Sequence, residues 1–394
     1  MKKQKLKFPD GFLWGAATSA HQVEGGNLHN DWADAEKTGR VPKAGLACDH
    51  YHRYAEDFKI AKSLGHNAHR LSIEWSRIEP RRGEFDEKEI HHYHEVLSYL
   101  KKHGFTTFVT LHHFTNPLWF AREGGWLANC APKHFAEYTA KICQTLGHLV
   151  DFWITVNEPL LYAGATHAIS MWPPFKKSYW QAWKVYKNLL AAHERAYDVI
   201  HNYYTQARVG FAQNISFNQG GLAAKINDYL EIDFPYKKTR NDFLALNHYF
   251  YRKFRWGFKI KHGGESTDWP IFKIYPKAIY HVLMKLKKYG KPIYVTENGI
   301  PDAKDRKREL YINAYLLEIN NAIARGADVR GYLHWSLLDN YEWAEGYKYR
   351  FGLVAVDFKT QKRTIHESAY AYRHICEDNA LTVRAPLDPD KNSK

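Results

Sequence analysis

Two short carboxylate segments carry the chemistry this chain could perform, Thr155-Val156-Asn157-Glu158-Pro159 and Thr296-Glu297-Asn298-Gly299. Each glutamate follows an apolar, β-rich run, 152–156 in one case and 292–296 in the other, the pattern of a buried parallel strand with the carboxyl at its C-terminal end. Two carboxyls facing each other across one pocket suit glycoside hydrolysis. That reaction needs a protonated carboxyl at the leaving oxygen and a second, ionised at the same pH, at the anomeric carbon. The surroundings must therefore separate the two pKa values. Arg70 and Tyr249 fall at strand positions able to hold Glu297 ionised with a guanidinium and a phenol hydroxyl. Glu158 has Asn157 beside it and no evident cation, which suits a raised pKa and an acid role. Glu74 is a third strand-end glutamate, and spacing alone leaves it open between catalysis and an ion pair with Arg77.

The elements that must position these groups are eight apolar or β-branched runs: 12–20, 66–75, 106–114, 152–158, 208–217, 242–250, 292–296 and 331–338. Helix-like stretches lie between most of them, at 51–64, 87–103, 132–149, 179–204, 275–289 and 304–325, with Gly65 and Gly326 as stop signals. Eight strands alternating with helices predict an α/β fold, a (β/α)8 TIM barrel. The rival is a doubly wound sheet, and no Gly-x-Gly-x-x-Gly turn follows an early strand to support it. Polar groups end every run: Gln22, Arg70 and Glu74, His112 and His113, Asn157 and Glu158, Gln213 and Asn214, Asn247 and Tyr249, Glu297 and Asn298, His334 and Trp335. One rim of the barrel is thus lined for chemistry.

The 394 residues, 45% hydrophobic and without a linker or low-complexity block, read as one domain over 1–394, with tails at about 1–7 and 380–394. Residues 1–7 look like the start of a signal, but the apolar stretch 12–20 is brief and contains Trp14-Gly15, so neither export nor a membrane span is expected. Cys48, Cys130, Cys143 and Cys376 show neither metal spacing nor a disulfide framework, which points to reduced thiols in a cytoplasm. The net charge of +14 falls in helical or loop runs without an organised nucleic-acid motif, and is read as a solvated basic face rather than a specific nucleic-acid site. Aromatic residues make up 15% of the chain, and flat rings with a polar edge suit sugar faces. His21, His112, His248 and His334 lack i, i+4 pairing and are expected to be structural rather than metal ligands. Asn214-Ile215-Ser216 matches a glycosylation sequon by chance.

The residues resemble family 1 of the glycoside hydrolases, which includes β-glucosidases and β-galactosidases. The resemblance runs from Phe8 to about Cys376. It rests on Gln22-Val23-Glu24-Gly25, Arg70-Leu71-Ser72-Ile73-Glu74-Trp75-Ser76-Arg77-Ile78, Asn157-Glu158-Pro159, Thr296-Glu297-Asn298-Gly299 and the run Trp335-Ser336-Leu337-Leu338-Asp339-Asn340-Tyr341-Glu342-Trp343. It implies that Glu158 is the general acid/base and Glu297 the nucleophile of a two-step, configuration-retaining reaction. It also implies that Asn157 holds the sugar 2-hydroxyl and that Arg70 and Tyr249 attend the nucleophile. Gln22, His113, Glu342 and Trp343 match the positions for other sugar hydroxyls, with Trp335 as stacking floor and Phe351 nearby. The substrates implied are small β-glucosides, β-galactosides or β-fucosides, with no metal or organic cofactor.

Some positions depart from the family pattern. Phe114 stands where a Trp commonly follows the sugar-binding histidine, and Leu160 where many relatives carry Trp, which touches the 3-hydroxyl contact and the leaving-group platform. The chain is short for the family, with only 218–241 between the fifth and sixth strands, so a more open leaving-group side is expected. The alternatives are a 6-phospho-β-glycosidase, a catalytically silent sugar-binding protein on the same fold, and a binder of nucleic acid or acidic surfaces. Relatives that cleave phosphosugars have Ser in place of Glu342 and a Lys and a Tyr at the positions of Tyr349 and Phe351.

Overall fold

The computed structural model describes residues 3–255 and 259–384. Eight parallel strands close on themselves: β1 Leu13–Ala17, β2 Ala68–Ser72, β3 Thr106–His112, β4 Phe152–Asn157, β5 Val209–Asn214, β6 Leu244–Asn247, β7 Ile293–Asn298 and β8 Val329–Trp335. Each pairs with its neighbour in sequence, and β8 returns to β1 with Trp335 opposite Ala17. Helices separate the strands and cover the barrel; they include His50–Ser63, Glu87–Lys102, Ala131–Leu146, Tyr179–Tyr203, Lys277–Leu286 and Arg308–Ala324. All eight expected strands are present, most trimmed at their ends, with β7 running on to Asn298 and β8 starting earlier at Val329, and the barrel replaces the doubly wound alternative.

Local signals set the helix limits. Asp86 accepts hydrogen bonds from the amides of Lys88 and Glu89 at the start of Glu87–Lys102, and Ser178 from that of Gln181 at the start of Tyr179–Tyr203. Gly65 and Gly326 follow helix ends with φ of +72° and +84°, the left-handed stop that glycine adopts without a Cβ clash.

The period-two alternation of the strands sorts side chains between two cores. Inside the barrel, at its lower end, Phe108, Phe152, Phe243 and Tyr294 pack ring on ring, with Phe108 and Phe152 4.2 Å apart and nearly parallel. Outside it, Val109, Leu111, Ile293 and Val295 meet the helices in a large continuous core. This filled lower interior confines polar groups to the C-terminal mouth, where Arg70 projects above the aromatic layer and is fully buried.

Two long-range ties close the periphery. The terminal segments expected as tails pair in part, since Lys3–Lys7 and Ala380–Arg384 form an antiparallel two-stranded sheet; residues 1–2 and 385–394 lie outside the described residues. Asp57, fully buried on the first large helix, accepts two bonds from Arg363 at 2.8 and 3.1 Å and lies 2.8 Å from His50 Nδ1. Burial pushes its carboxyl up, but the bonds to His50 and Arg363 outweigh that and hold it below its ordinary value. The contribution is therefore complete above the ordinary carboxylate range and lost as pH falls through the lowered value. Asp57→Ala leaves Arg363 buried without its partner and is expected to destabilise the fold by about 3–5 kcal/mol, read as a lower urea midpoint at neutral pH. An unchanged midpoint would show that the tie contributes nothing.

Candidate active site

Glu158 and Glu297 lie at the same mouth of the barrel, both buried, on β4 and β7 or one residue beyond. Strict alternation does not place them. On β7, Tyr294 faces inward and Val295 outward, yet both Thr296 and Glu297 bond to interior groups. The register against β6 and β8 shifts after Val295, and this irregularity turns the glutamate into the barrel. On β4 the register against β5 shifts between Ile154 and Asn157, and Glu158 has a left-handed backbone with φ of +46°.

Glu297 is held by two donors. Arg70 Nη1 reaches its Oε1 at 2.5 Å and the Tyr249 hydroxyl its Oε2 at 2.7 Å. Glu158 accepts from the Asn247 amide at 2.7 Å and the Asn214 amide at 3.3 Å, with no cation in hydrogen-bond contact among the described residues. Burial and then the charge of Glu297 raise the Glu158 carboxyl to about 8, against the pull of Asn247, Asn214 and Arg70. Burial raises Glu297 as well, but Arg70 and Tyr249 oppose it, so Glu297 is the member of the pair that ionises first. The pair thus holds one carboxylate, Glu297, and one carboxylic acid, Glu158, near neutral pH.

Asn157 joins the two halves. Its Oδ1 accepts from Arg70 Nη2 at 2.6 Å and from Asn247 at 3.1 Å, while its Nδ2 lies 3.2 Å from His113 Nε2. Burial, reinforced by Arg70, holds His113 neutral. With Nε2 accepting from Asn157, Nδ1 carries the hydrogen, and that buried atom has no partner among the described residues. Gln22 Oε1 and Glu342 Oε1 are buried without partners in the same way. The Gln22 amide nitrogen is anchored on Asn340 Oδ1 and the Tyr341 carbonyl, both at 2.9 Å. Burial raises the Glu342 carboxyl to about 8, against a bond from Trp335. The His113 ring runs nearly parallel to those of Trp335 and Trp343, each 6.1 Å away. Trp335, Tyr249 and Phe351 share an aromatic cluster with Phe272 and Tyr349. All eleven sequence-predicted residues therefore gather at this mouth, in one linked set of contacts.

Other expectations are refined. Glu74 is structural, but not through Arg77. It caps the helix Trp75–Ile78 and accepts from Ser76 and Thr115, whereas Arg77 pairs with Glu24 at 2.8 Å. His21 contacts Asn30 and Glu36, His112 contacts Asn116 and Trp126, His248 bonds to the Ile215 carbonyl, and His334 lies 3.4 Å from the Tyr332 hydroxyl. Among the described residues no cluster of His, Cys, Asp and Glu is arranged to hold a metal. No helix there is long and apolar enough to cross a membrane. Asn214, noted as a strand-end amide and as part of a sequon, donates to Glu158. Asn247 carried no signal beyond its strand-end position, and Thr296 none beyond its place in the second carboxylate segment, since their roles depend on alignment across strands.

Comparison with known proteins agrees with this geometry. The profile of Glycosyl hydrolase family 1 matches residues 4–231 and 218–381. A β-glycosidase from Pyrococcus horikoshii superposes with a TM-score of 0.90 at 37% identity, covering 96% of each chain. β-Glucosidase A of Thermotoga maritima is 32% identical over 95% of this chain and 99% of its own length. A 6-phospho-β-galactosidase of Staphylococcus epidermidis is 30% identical over 95% of this chain and 99% of its own. With both glutamates in one barrel mouth and matches over nearly its whole length, the chain belongs to glycosyl hydrolase family 1 and is a glycoside hydrolase.

Proposed function

We propose that the protein is a retaining β-glycosidase that removes terminal, unphosphorylated β-D-glucosyl, β-D-galactosyl or β-D-fucosyl residues from small glycosides and short oligosaccharides. The observation that carries this reading is the unequal attendance on the two carboxyls: Arg70 and Tyr249 on Glu297, amides alone on Glu158. In the first step Glu297 attacks the anomeric carbon while Glu158 gives its proton to the leaving oxygen, and a glycosyl ester forms on Glu297. Glu158, now ionised, takes a proton from water as that water displaces Glu297, so two inversions give net retention. Asn157 Nδ2 keeps one hydrogen for the sugar 2-hydroxyl, a contact that strengthens towards the oxocarbenium-like transition state. The unpartnered Gln22 Oε1, His113 Nδ1 and Glu342 Oε1 supply acceptors and a donor for the remaining hydroxyls, with Trp335 beneath the ring and Trp343 and Phe351 at its edges.

Two features argue against a 6-phosphosugar substrate. Glu342 is a buried carboxyl where a dianion would have to approach. Lys348, one residue from the Lys position of the phosphosugar enzymes, is exposed and sits near Glu345 and the face of Tyr349. Tyr349 itself is stacked on Trp269, 4.4 Å away and nearly parallel. Retention of both glutamates argues against a silent sugar-binding protein.

The test is hydrolysis of an aryl β-glucoside with the first-formed anomer followed by proton NMR. β-Glucose appearing first is the expected result, and initial α-glucose would overturn the proposal. Tyr249→Phe removes a hydrogen bond to a charged group and is expected to lower kcat/KM by about 10–100-fold. A loss confined to KM would show that Tyr249 serves sugar binding rather than the nucleophile.

A further inference from the structure

We infer that Asn247 is a positioning residue that ties Glu158 to the Arg70–Glu297 pair and sets how readily Glu158 ionises. The inference rests on the roles proposed above for the two glutamates. Asn247 ends β6, and the strand register aligns it with Asn214 on β5 and Glu297 on β7, so its side chain stands between the two carboxyls.

Every hydrogen bond the amide can make is used. Its Oδ1 accepts from Thr296 Oγ1 at 2.8 Å and from Arg70 Nη1 at 3.3 Å, while its Nδ2 donates to Glu158 Oε1 at 2.7 Å and to Asn157 Oδ1 at 3.1 Å. Rotating the amide by half a turn would set Nδ2 against two donors and Oδ1 against two oxygens. Thr296 and Arg70 therefore fix its sense: the N–H bonds directly to Glu158 Oε1, and the same amide also lies close enough to Glu297 to pull that carboxyl down.

This has a consequence for each half of the reaction. A donor held on Glu158 favours its ionised form, which is the wrong form for protonating the leaving group and the right one for activating water. When Glu297 becomes an ester its negative charge is gone, and the Arg70 guanidinium still polarises Asn247. The same amide then acts on a Glu158 freed from the repulsion of its neighbour. Asn247 thus serves deglycosylation above all. The other groups facing Glu158 are Glu297 on β7, Arg70 on β2, Tyr249 beyond β6 and the Asn214 amide on β5.

The experiment compares wild type with Asn247→Leu, Thr296→Val and Glu158→Gln, using the pH profile of kcat/KM on an aryl glucoside and burst kinetics with 2,4-dinitrophenyl β-glucoside. In Asn247→Leu the basic limb is expected to move up by about 1 pH unit or more. Deglycosylation should slow by about 10-fold or more beyond any loss in the burst phase. Thr296→Val keeps the site's volume and should shift the limb in the same direction by less, which decides the matter if the leucine variant does not fold. Glu158→Gln should abolish the limb. A limb that persists in Glu158→Gln would refute the acid role of Glu158. A limb that vanishes there yet stays in place in both other variants would overturn the inference about Asn247 alone.

Discussion

Glu297→Ala is expected to abolish turnover, by about 10⁴-fold or more in kcat with any aryl glycoside, whatever the leaving group. The methyl group offers nothing to the anomeric carbon, so the loss does not depend on how easily the aglycone departs. Arg70 would remain buried with its neutralising carboxylate gone, although Asn157 and the Thr110 hydroxyl still accept from it. Thermal unfolding should accompany the kinetics, because a folded but inactive variant isolates the chemical role from the structural one. Added azide or formate, which can enter the space left by the carboxylate, should restore turnover with an inverted product. Residual activity of more than a few per cent with retention would transfer the nucleophile role elsewhere.

Glu158→Ala should discriminate between substrates instead. A leaving group such as 2,4-dinitrophenolate needs no proton, so kcat/KM for its glucoside is expected to fall only a few-fold, while that for an alkyl glucoside falls about 10²–10⁴-fold. For the activated substrate, kcat should fall as well, because water is no longer deprotonated in the second step and the glycosyl-enzyme accumulates. The pH profile gives a second reading. In the wild type the acid must carry its proton, so kcat/KM declines as pH rises through a value raised to about 8, and declines at low pH as Glu297 protonates. The alanine variant should keep the acidic limb and lose the basic one. Equal losses on good and poor leaving groups would contradict the acid assignment.

The barrel was legible because its strands are short apolar runs with helical stretches between them, and the period of two needs no further information to show itself. The strand ends were less so. Alternation from Tyr294 through Val295 places Thr296 inside and Glu297 outside, and the register shift that returns Glu297 to the interior leaves no mark in the residues themselves. Its place directly after the apolar run 292–296 singled that glutamate out, and the family resemblance gave it a role, where strict alternation would have turned it outward. Arg70 and Tyr249 were found from charge complementarity, an argument that does not depend on exact register. Asn247 escaped because an asparagine at a strand end has many ordinary explanations. Only the adjacent positions of Thr296, Arg70, Asn157 and Glu158 show that its amide is committed on both sides. Glu74, left open between catalysis and an ion pair with Arg77, takes neither course for a related reason: both residues have structural partners, but closeness in sequence did not identify them.

The left-handed backbone at Glu158 has a further meaning. An L-residue with a Cβ sits in that region at a disadvantage of roughly 1 kcal/mol relative to glycine. Its carboxyl is also buried beside another of the same charge, an arrangement that opposes the folded state whenever both are ionised. A chain optimised for endurance alone would place glycine here and carry no acid at all. The side chain stands against the grain of the fold, and the surrounding scaffold must be rigid enough to tolerate it.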